Sequence, residues 1–260
     1  MTILDEIANE TKKRVSYNKK NKPLETLKGE AYSMQKGNFS FESKIKANNF
    51  SFICECKKAS PSKGIISENF PFLDIAKEYE EAGADCISVL TEPKWFLGKD
   101  EYLKEIAKEV SIPCLRKDFV VDEYMIYEAK VLGATCVLLI CSILSDNELK
   151  EYINICDELG LSALVETHDE KEIEIAIKSK ARMIAVNNRN LKDFSVDTQN
   201  SKKLREHIPK EILFVSESGV KNANDIKNIY DIGANAVLIG ETLMKAQNKK
   251  EKLQELKSLL

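Results

Sequence analysis

The chain has 260 residues, a length that suits either two small domains or one large α/β barrel. Its hydrophobic fraction of 43% and charged fraction of 31% are ordinary for a globular protein. The net charge is −3, with 39 basic and 42 acidic residues interspersed, which argues against a nucleic-acid partner and against an electrostatic membrane anchor.

The cysteines and histidines predict no metal site. Seven cysteines are an odd number, and most lie in apolar runs, where the thiol behaves as a small hydrophobic group. Cys54-x-Cys56 lacks the spacing of zinc ligands, and the only histidines, His168 and His207, stand apart from any cysteine pair. We therefore expect reduced thiols and a cytoplasmic protein. No apolar run approaches about 18 residues and the N-terminus shows no cleavage motif, so we expect neither a membrane span nor export.

Residues 1–48 form a polar, Lys-rich segment that precedes the first apolar run. Ile3, Leu4 and Ile7 have helical spacing, which predicts a first amphipathic helix with the run Lys12-Lys13-Arg14 on its solvated face. Pro23 suits the first turn of a helix and predicts a second, short helix after it.

The first apolar run, from Phe52, ends on a pair of opposite charges. Side chains alternate along a strand, so Glu55 and Lys57 share one face while Cys54 and Cys56 share the other. Burying both charges is costly unless they pair with each other or meet a ligand, so the pair is either a structural ion pair or part of a site. The Ser- and Gly-rich turn over residues 59–64 can face an anionic ligand and favours a site.

From Ser51 onward, short apolar or β-branched runs recur about every 25 residues and predict eight strands. Helical patterns with one apolar face lie between them, and several end in Gly directly before the next strand, as a left-handed C-cap would. The predicted strands cover residues 51–56, 86–90, 112–116, 136–140, 162–166, 183–187, 212–216 and 236–240, and the capping glycines are Gly83, Gly133, Gly160 and Gly233.

This repeat indicates the α/β class, and within it a (β/α)₈ TIM barrel with an N-terminal helical extension. The alternative is an open doubly wound sheet, but the early Gly-x-Gly-x-x-Gly fingerprint of that fold is missing. No linker rich in Gly, Ser or Pro divides the chain. We therefore predict a single domain over residues 1–260, with residues 1–48 as the extension.

In such barrels the functional residues lie at the carboxyl ends of the strands. Seven of the eight predicted ends carry polar groups, whereas strand 4 ends in an apolar stretch that would form a wall. Any one of these groups could be an ordinary solvated loop residue, but seven ends that converge on one rim indicate a site. The polar ends are Glu55, Lys57 and Ser60; Thr91 and Glu92; Lys117 and Asp118; Glu166; Asn187, Asn188 and Arg189; Glu217, Ser218 and Gly219; and Gly240 and Glu241.

The loops after strands 7 and 8 predict a phosphate site. Gly219 and Gly240 permit close approach of the backbone to a phosphate, and Ser218 adds a hydroxyl. The residues thus point to a small phosphorylated ligand that meets two Lys, one Arg and several carboxylates, with acid–base chemistry on a sugar phosphate as the natural class. They do not by themselves define the reaction.

Eight stretches in order from about residue 51 to 245 resemble the indole-3-glycerol phosphate synthase family. They are ECKKASPSKG, ISVLTE, LRKDFVVDEYMIYEAKVLGA, VLLICSIL, LVETHDE, VNNRNL, VSESGVK and AVLIGETLM. The resemblance implies ring closure of 1-(2-carboxyphenylamino)-1-deoxyribulose 5-phosphate, with loss of CO₂ and water, to indole-3-glycerol phosphate in tryptophan biosynthesis. It also implies no cofactor and a small phosphorylated substrate as partner. We expect a monomer or a weak homo-oligomer.

The resemblance also assigns roles, position by position. Lys57 and Lys117 would jointly supply the cationic acids, Glu166 would be the carboxylate partner in the dehydration, and Glu55 would orient Lys57 and the leaving hydroxyl. Asn187 completes this catalytic set. The substrate-binding set would be Asn187, Arg189 and Glu217 for polar groups, Ser60 for the anthranilate end, and Ser218, Gly219, Gly240 and Glu241 for the phosphate.

Two further features concern the pocket wall. Leu90, Leu139 and Leu238 are candidate apolar walls, although ordinary barrel core is the alternative for each. The loop Trp95-Phe96-Leu97-Gly98-Lys99 departs from the family's usual Phe-x-Gly-Ser by placing Lys99 where Ser is common.

Two other functions compete with the synthase. A phosphoribosylanthranilate isomerase would have a shorter chain and an acid–base pair built on Cys and Asp, so the ECKKASPSKG stretch and the long lead-in favour the synthase. A barrel that has lost catalysis and serves as a scaffold or binding protein is disfavoured by the presence of Glu55, Lys57, Lys117 and Glu166.

Overall fold

The computed structural model describes residues 2–190 and 194–260. Eight parallel strands close into a barrel in which each strand pairs with its neighbours in the chain and β1 pairs with β8. The strands are β1 Ser51–Cys56, β2 Cys86–Leu90, β3 Cys114–Lys117, β4 Cys136–Ile140, β5 Ser162–Thr167, β6 Met183–Asn187, β7 Leu213–Glu217 and β8 Ala236–Ile239. The predicted (β/α)₈ barrel is confirmed.

The predicted strand bounds match the structure to within one residue except at β3, which starts at Cys114 rather than residue 112. Proline has no N–H to donate to a neighbouring strand, and Pro113 contributes only its carbonyl, which accepts from the Ile87 N–H at 2.9 Å. Pairing with β2 through both backbone groups therefore begins one residue later.

Helices follow the strands around the barrel, and none in the described part of the chain is long and apolar enough to cross a membrane. All four predicted capping glycines have positive φ, between +69° and +92°, as a left-handed cap requires. The helices are α1 Ile3–Asn21, α2 Leu24–Ser33, α3 Ser40–Ala47, α4 Phe72–Glu81, α5 Asp100–Glu109, α6 Tyr124–Val131, α7 Asp146–Leu159, α8 Glu170–Lys178, α9 Gln199–Arg205, α10 Ala223–Asp231, α11 Glu241–Met244 and α12 Lys249–Lys257.

The N-terminal segment contains three helices, of which the sequence predicts only α1 and α2. The third, α3, buries Phe41 and Ile45 completely within the apolar cluster that fills the barrel interior. The Glu42 N–H donates to Ser162 Oγ at the first residue of β5, so α3 lies at the amino end of the barrel. With only two buried apolar residues, α3 has too short a pattern to be recognised without the barrel it packs against.

A close backbone contact attaches this segment to the barrel before α3 begins. The Gly37 N–H donates to the Leu159 carbonyl at 2.9 Å, and the Phe39 N–H donates to the Gly160 carbonyl at 3.2 Å. A Cβ on Gly37 would lie 2.3 Å from the Gly160 carbonyl oxygen, so only glycine permits this approach.

Side-chain alternation divides the core into an inner and an outer part. On β1, Ile53 belongs to the interior cluster, whereas Cys54 and Cys56 pack with the helices outside, as the alternation on this strand predicts. On β4, Leu138 and Ile140 point inward and Leu139 points outward. Polar groups are thereby presented to the interior at the strand ends, above apolar layers that fill the rest of the barrel.

Candidate active site

Two adjoining cavities open at the carboxyl end of the barrel and share Glu55, Lys57 and Arg189 in their walls. All twelve residues assigned by the sequence line one or both of them. They are Glu55, Lys57, Ser60, Lys117, Glu166, Asn187, Arg189, Glu217, Ser218, Gly219, Gly240 and Glu241. The structure therefore brings together groups that are up to 186 residues apart in the chain, from Glu55 to Glu241.

The Glu55–Lys57 pair lies at the end of β1 and faces the interior. Lys57 Nζ is 2.8 Å from Glu55 Oε1, and Ser88 Oγ donates to Glu55 Oε2 at 3.3 Å. Burial by itself raises the pKa of Glu55, but the positive charges of Lys57 and Lys117 outweigh it and lower the pKa. A Cβ on Gly240 would lie 2.4 Å from Glu55 Oε1, so any side chain at that position would displace the pair.

The Lys117 ammonium, at the end of β3, contacts two buried carboxylates at the ends of β5 and β7. Its Nζ is 2.6 Å from Glu217 Oε2 and 3.6 Å from Glu166 Oε2. Burial lowers the pKa of Lys117, but Glu217, Glu166 and Glu55 raise it above its usual range, so the ammonium stays protonated. This lysine therefore has the charge state of an acid at neutral pH.

Glu166 and Glu217 share Lys117 but differ in their surroundings. Burial raises the pKa of Glu166, whereas Lys117 and His168 lower it by more, so this carboxylate stays ionised. For Glu217, burial and the nearby negative charge of Glu166 outweigh Lys117 and raise the pKa to about 7. Within the described residues, Glu217 Oε1 is buried and accepts no hydrogen bond.

Asn187 links three strand ends through its amide. Its Nδ2 donates to Glu166 Oε1 at 3.2 Å, and its Oδ1 accepts from the Arg189 N–H at 3.0 Å and from Ser218 Oγ at 2.9 Å. Because both ends of the amide are bonded, the orientation of Asn187 is set by its neighbours. Glu166, in the first cavity, and Ser218, which lines both cavities, are thus held in one network.

Arg189 connects the loop after β6 to the loop after β1. Its Nη1 donates to Ser62 Oγ at 3.5 Å and to the Phe194 carbonyl at 3.2 Å. Ser60, which is buried, pairs with Gly64 in a small hairpin that forms the rim of the site above β1. Leu191, the last residue of the VNNRNL stretch, lies outside the described residues.

The second cavity lies between the loops after β7 and β8. Ser218 and Gly219 both have positive φ, +69° and +96°, so the chain turns sharply there. A Cβ on Gly219 would lie 2.6 Å from the Thr198 side chain, which makes glycine necessary for space as well as for conformation. The Glu241 carboxylate is 2.6 Å from Lys245 Nζ and 3.8 Å from Lys63 Nζ, and both ammonium groups lie in the wall of this cavity.

The first cavity has an apolar wall of which the sequence predicts only part. Leu90 and Leu238 line it as expected, but Leu139 does not, because the inward positions of β4 are Leu138 and Ile140. The rest of the wall comes from outside the strands. It consists of Ile3, Leu4 and Ile7 of α1, with Phe96 and Phe119 from the loops after β2 and β3.

Two polar residues at the predicted rim, Thr91 and Asn188, line neither cavity and serve the fold. Thr91 Oγ1 donates to the completely buried Asp118 carboxylate at 2.6 Å. Asn188 donates to Ser216 Oγ at 3.2 Å and accepts from the Ser201 N–H at 2.9 Å. These hydrogen bonds are internal to the structure, so position at a strand end alone overestimates the number of site residues.

Glu92, also at the predicted rim, organises the loop that carries Phe96. Its buried carboxylate accepts from the backbone N–H groups of Lys94, Trp95 and Phe96 at 2.7–2.9 Å. At the end of the same loop, Lys99 is the N-cap of α5 and makes no side-chain capping bond. This chain therefore has no capping hydroxyl at the start of α5.

The basic run on α1 is only partly solvated. Lys12 and Lys13 are exposed as predicted, but the prediction is wrong for Arg14, whose Nη2 is 2.8 Å from Asp118 Oδ1. Asp118 is completely buried and also lies 3.9 Å from Arg116 Nη2. Helical spacing alone could not indicate this, since the partner is 104 residues away.

His168 is a site residue that the sequence analysis did not select. Its Nε2 lies 3.3 Å from Glu166 Oε1, and its Nδ1 lies 3.0 Å from Glu172 Oε2. Alternation along β5 was the available signal, because a residue two positions after Glu166 faces the same way. Burial lowers the pKa of His168, but its close contacts with the two carboxylates raise it to about 10.

Comparison with known proteins matches nearly the whole chain to one family. A family model described as Indole-3-glycerol phosphate synthase matches residues 4–256. An indole-3-glycerol phosphate synthase of Ruminiclostridium cellulolyticum is 57% identical over 256 residues, covering 98% of each chain. One of Lachnoclostridium phytofermentans is 52% identical over 270 residues, covering 99% of this chain and all of the relative.

A solved 3-hexulose-6-phosphate synthase superposes with a TM-score of 0.66 at 13% identity, over 81% of this chain and 99% of that one, which shows the fold alone. The two synthases, by contrast, match over nearly their full lengths at 57% and 52% identity, which is high enough to show that they and this chain share a family. The chain therefore belongs to the indole-3-glycerol phosphate synthase family.

Proposed function

We infer that this chain closes the indole ring of 1-(2-carboxyphenylamino)-1-deoxyribulose 5-phosphate, with loss of CO₂ and water, to give indole-3-glycerol phosphate in tryptophan biosynthesis. The enzyme is a decarboxylating lyase that acts on a small phosphorylated substrate. The observation that carries this inference is the convergence of Lys57, Lys117 and Glu166 on one opening, next to a cavity that suits a phosphate. We expect the reaction to need no cofactor.

The ring-closing step requires an acid. A bond forms between the carboxylate-bearing ring carbon and the sugar carbonyl carbon, and a proton must reach the carbonyl oxygen as it becomes a hydroxyl. Lys117 supports this role because two carboxylates hold its ammonium in place and keep it charged. Lys57, held by Glu55 at 2.8 Å, is the second candidate, and we assign the two lysines jointly. Loss of CO₂ then returns the electron pair to the ring.

Dehydration requires an acid for the leaving hydroxyl and a base for a ring-side proton. We assign the base to Glu166, since its surroundings keep it ionised and a carboxylate must be ionised to accept a proton. Glu55 orients Lys57 and contacts the leaving hydroxyl. Asn187 belongs to the catalytic set because its amide bonds to Glu166 and fixes the direction in which that carboxylate points.

The two cavities divide the substrate between them. The apolar wall formed by α1 and the phenylalanines suits the carboxyphenyl ring, with Ser60 at that end. We assign the phosphate to the second cavity, where Ser218, Gly219, Gly240 and Glu241 offer a hydroxyl and backbone N–H groups. Arg189 and Glu217, which line the first cavity, would hold the polar groups between the two ends.

The decisive experiment mixes the purified protein with the carboxyphenylamino substrate and follows indole fluorescence without added metal or nucleotide. We expect product to form in proportion to enzyme. Absence of indole at substrate saturation would contradict the proposed function.

Lys117→Ala tests the residue assignment. Removing a general acid typically lowers turnover by at least ~10²-fold, so kcat should fall by that factor with folding preserved. Lys104→Ala, on the exposed face of α5, is the matched control and should retain parental kcat. Near-parental turnover in the Lys117 variant would remove this lysine from the mechanism.

We also propose that the protein works in the cytoplasm as a monomer or a weak homo-oligomer. All seven cysteines are buried free thiols, which accords with a reducing compartment. Large hydrophobic side chains that are exposed come from separate elements, among them Tyr17 on α1, Tyr230 on α10 and Ile65 in the rim hairpin, as on the surface of a monomer.

A further inference from the structure

A row of five alternating charges runs from helix α8 into the barrel. Glu172 contacts His168, His168 contacts Glu166, Glu166 contacts Lys117, and Lys117 contacts Glu217. The successive distances are 3.0, 3.3, 3.6 and 2.6 Å. The last three members belong to the site assigned above, whereas Glu172 and His168 lie behind it.

The outer end of this row is rigidly placed. Asp169 caps α8, and its side chain accepts from the Glu172 N–H at 2.9 Å. Glu172 Oε2 in turn accepts from the His168 backbone N–H at 2.7 Å and contacts the ring nitrogen Nδ1. Because backbone and ring of His168 meet the same carboxylate oxygen, the imidazole has a fixed position and carries a proton on Nδ1.

The inner end of the row reaches the base. His168 Nε2 is buried and makes no well-aligned hydrogen bond to any described residue, yet it lies only 3.3 Å from Glu166 Oε1. Glu166 Oε1 also accepts from Asn187, so this oxygen is held from two sides. Its other oxygen, Oε2, is the one directed towards Lys117.

We propose that His168 is a positioning residue for Glu166: as an imidazolium held by Glu172, it fixes Glu166 Oε1, so that Oε2, the oxygen next to Lys117, is the one that acts on the substrate. This inference rests on the function proposed above and adds a role to it. His168 itself does not touch the substrate.

The charges around His168 support the imidazolium. The carboxylates of Glu166 and Glu172 contact the ring, and three further carboxylates line the adjoining cavity from α1, the α8 cap and the loop after β6: Asp5, Asp169 and Asp197. Four cations lie in the surroundings: Lys117 contacts the other oxygen of Glu166, Arg189 lines the same adjoining cavity, and Lys171 and Lys203 line the outer face of this region. The balance of charge is negative, so burial does not deprotonate the ring.

The first test measures the protonation of His168 directly and does not depend on activity. The chain has two histidines, so the His168→Gln variant assigns the imidazole signals in a ¹⁵N NMR titration. We expect the His168 ring to stay protonated above pH 8. We expect Glu172→Gln to lower its transition by about one pH unit or more, because one of its two charge partners is lost. Glu174→Gln, an exposed change on the same helix, should leave the transition in place.

A transition of the parent near the ordinary value of about 6.5, or one that Glu172→Gln does not move, would overturn the proposal. The first result would mean that the ring is neutral at working pH. The second would mean that Glu172 does not hold it.

The second test is kinetic. His168→Gln should lower kcat about 10-fold with KM within about twofold of the parent, because misplacement of the base affects the chemical steps rather than binding. In a Glu166→Gln background, measured by single turnover, the same His168 change should cause no further loss, since it acts only through Glu166.

An equal loss in both backgrounds, or a rise in KM with kcat unchanged, would overturn the positioning role. Failure of the parent enzyme to form indole would instead contradict the proposed function. The NMR titration would still decide in that case whether Glu172 and Glu166 hold His168 as a cation.

Discussion

At the scale of single residues, Glu217 is the least satisfied group in the site. Its Oε2 is 2.6 Å from Lys117, but its Oε1 is buried without a hydrogen-bond donor among the residues that are described. Lys117 is shared with Glu166, so one ammonium compensates two carboxylates. This explains why the pKa of Glu217 is raised to about 7 while that of Glu166 is lowered, with burial as the main upward contribution in both. A polar group of the substrate can supply the missing donor.

This raised pKa predicts a pH-dependent stability. A carboxyl group whose pKa is higher in the folded state binds more protons in that state than in the unfolded chain. Its stabilising contribution to the free energy of unfolding is therefore complete below the unfolded pKa of about 4.5 and is lost as the pH rises towards 7. Glu217→Gln removes this ionisation. Its Tm relative to the parent should therefore rise by about 5–10 °C between pH 5 and pH 8, as expected for about 2–3 kcal/mol in a chain of this size.

Thermal unfolding followed by circular dichroism at the two pH values would measure this difference. Glu211→Gln, which makes the same chemical change at an exposed position just before β7, is the control and should show no such trend. A Tm difference for Glu217→Gln that is constant between pH 5 and 8 would contradict the assignment of the raised pKa.

At the scale of elements, α1 has two functions that its apolar stripe alone does not reveal. Its first two turns supply Ile3, Leu4 and Ile7 to the cavity wall, and its fourth turn carries Arg14 to the buried carboxylate of Asp118. Asp118 directly follows Lys117. The same helix therefore covers the site and contacts the loop that follows the lysine strand.

Arg14→Met tests this attachment. Burial raises the pKa of Asp118, but Arg14 and Arg116 lower it by more, so the pairing stabilises the fold above the unfolded pKa of about 3.8 and is lost as pH falls below it. Arg116 and Thr91 remain as partners of Asp118, so the variant should lose about 1–3 kcal/mol at pH 7. The loss should become smaller as the pH approaches 3.

Urea unfolding at both pH values would measure the loss. Lys13→Met is the matched control, because Lys13 is exposed on the same helix and pairs only with the solvated Glu10 in the described structure. KM should also rise in the Arg14 variant as the wall formed by α1 loosens. An Arg14 variant as stable as the control would show that the ion pair does not hold α1 in place.

At the scale of the whole molecule, the N-terminal extension packs against both ends of the barrel. Helix α1 covers the carboxyl end, and α3 fills the amino end with Phe41 and Ile45. The backbone contact between Gly37 and Gly160 joins the extension to α7. We propose that residues 1–260 form one domain, in which residues 1–48 fold together with the barrel.

Phe41→Ala tests this proposal. Truncating a completely buried Phe typically costs about 3–5 kcal/mol, and here the cavity would open inside the barrel. The only tryptophan, Trp95, lies in the loop after β2, at the opposite end of the barrel from Phe41, so its fluorescence reports on unfolding far from the substituted residue. In urea, the midpoint of the Trp95 fluorescence transition should move to a lower concentration. The loss in free energy of unfolding should be the same whether it is measured by fluorescence or by circular dichroism.

Tyr17→Ala, an exposed aromatic change within the extension, is the control and should leave the barrel transition in place. A Phe41 variant whose Trp95 transition equals that of the parent would mean that the extension unfolds separately from the barrel.

The amino-acid order by itself determined the barrel and its polar strand ends, from which motif resemblance selected the twelve assigned positions. Both depend on local regularities: eight apolar runs with period-2 alternation, Gly after helices, and polar groups at strand ends. Closing such strands into a barrel brings their carboxyl ends together whatever the details, which is why Glu55 and Glu241 could be placed on one rim. Motif resemblance then supplied the reaction, which periodicity does not contain.

Tertiary structure alone decided which neighbours those groups have. Arg14 finds Asp118 and His168 lies between Glu166 and Glu172. Helix α3 fills the amino end of the barrel, but the sequence did not predict it. Its two buried side chains, Phe41 and Ile45, can be recognised as an apolar face only when the barrel interior they contact is known. The pairing of buried charges and the filling of the barrel's amino end both depend on distances between segments that are remote in the chain. Local sequence patterns do not encode those distances.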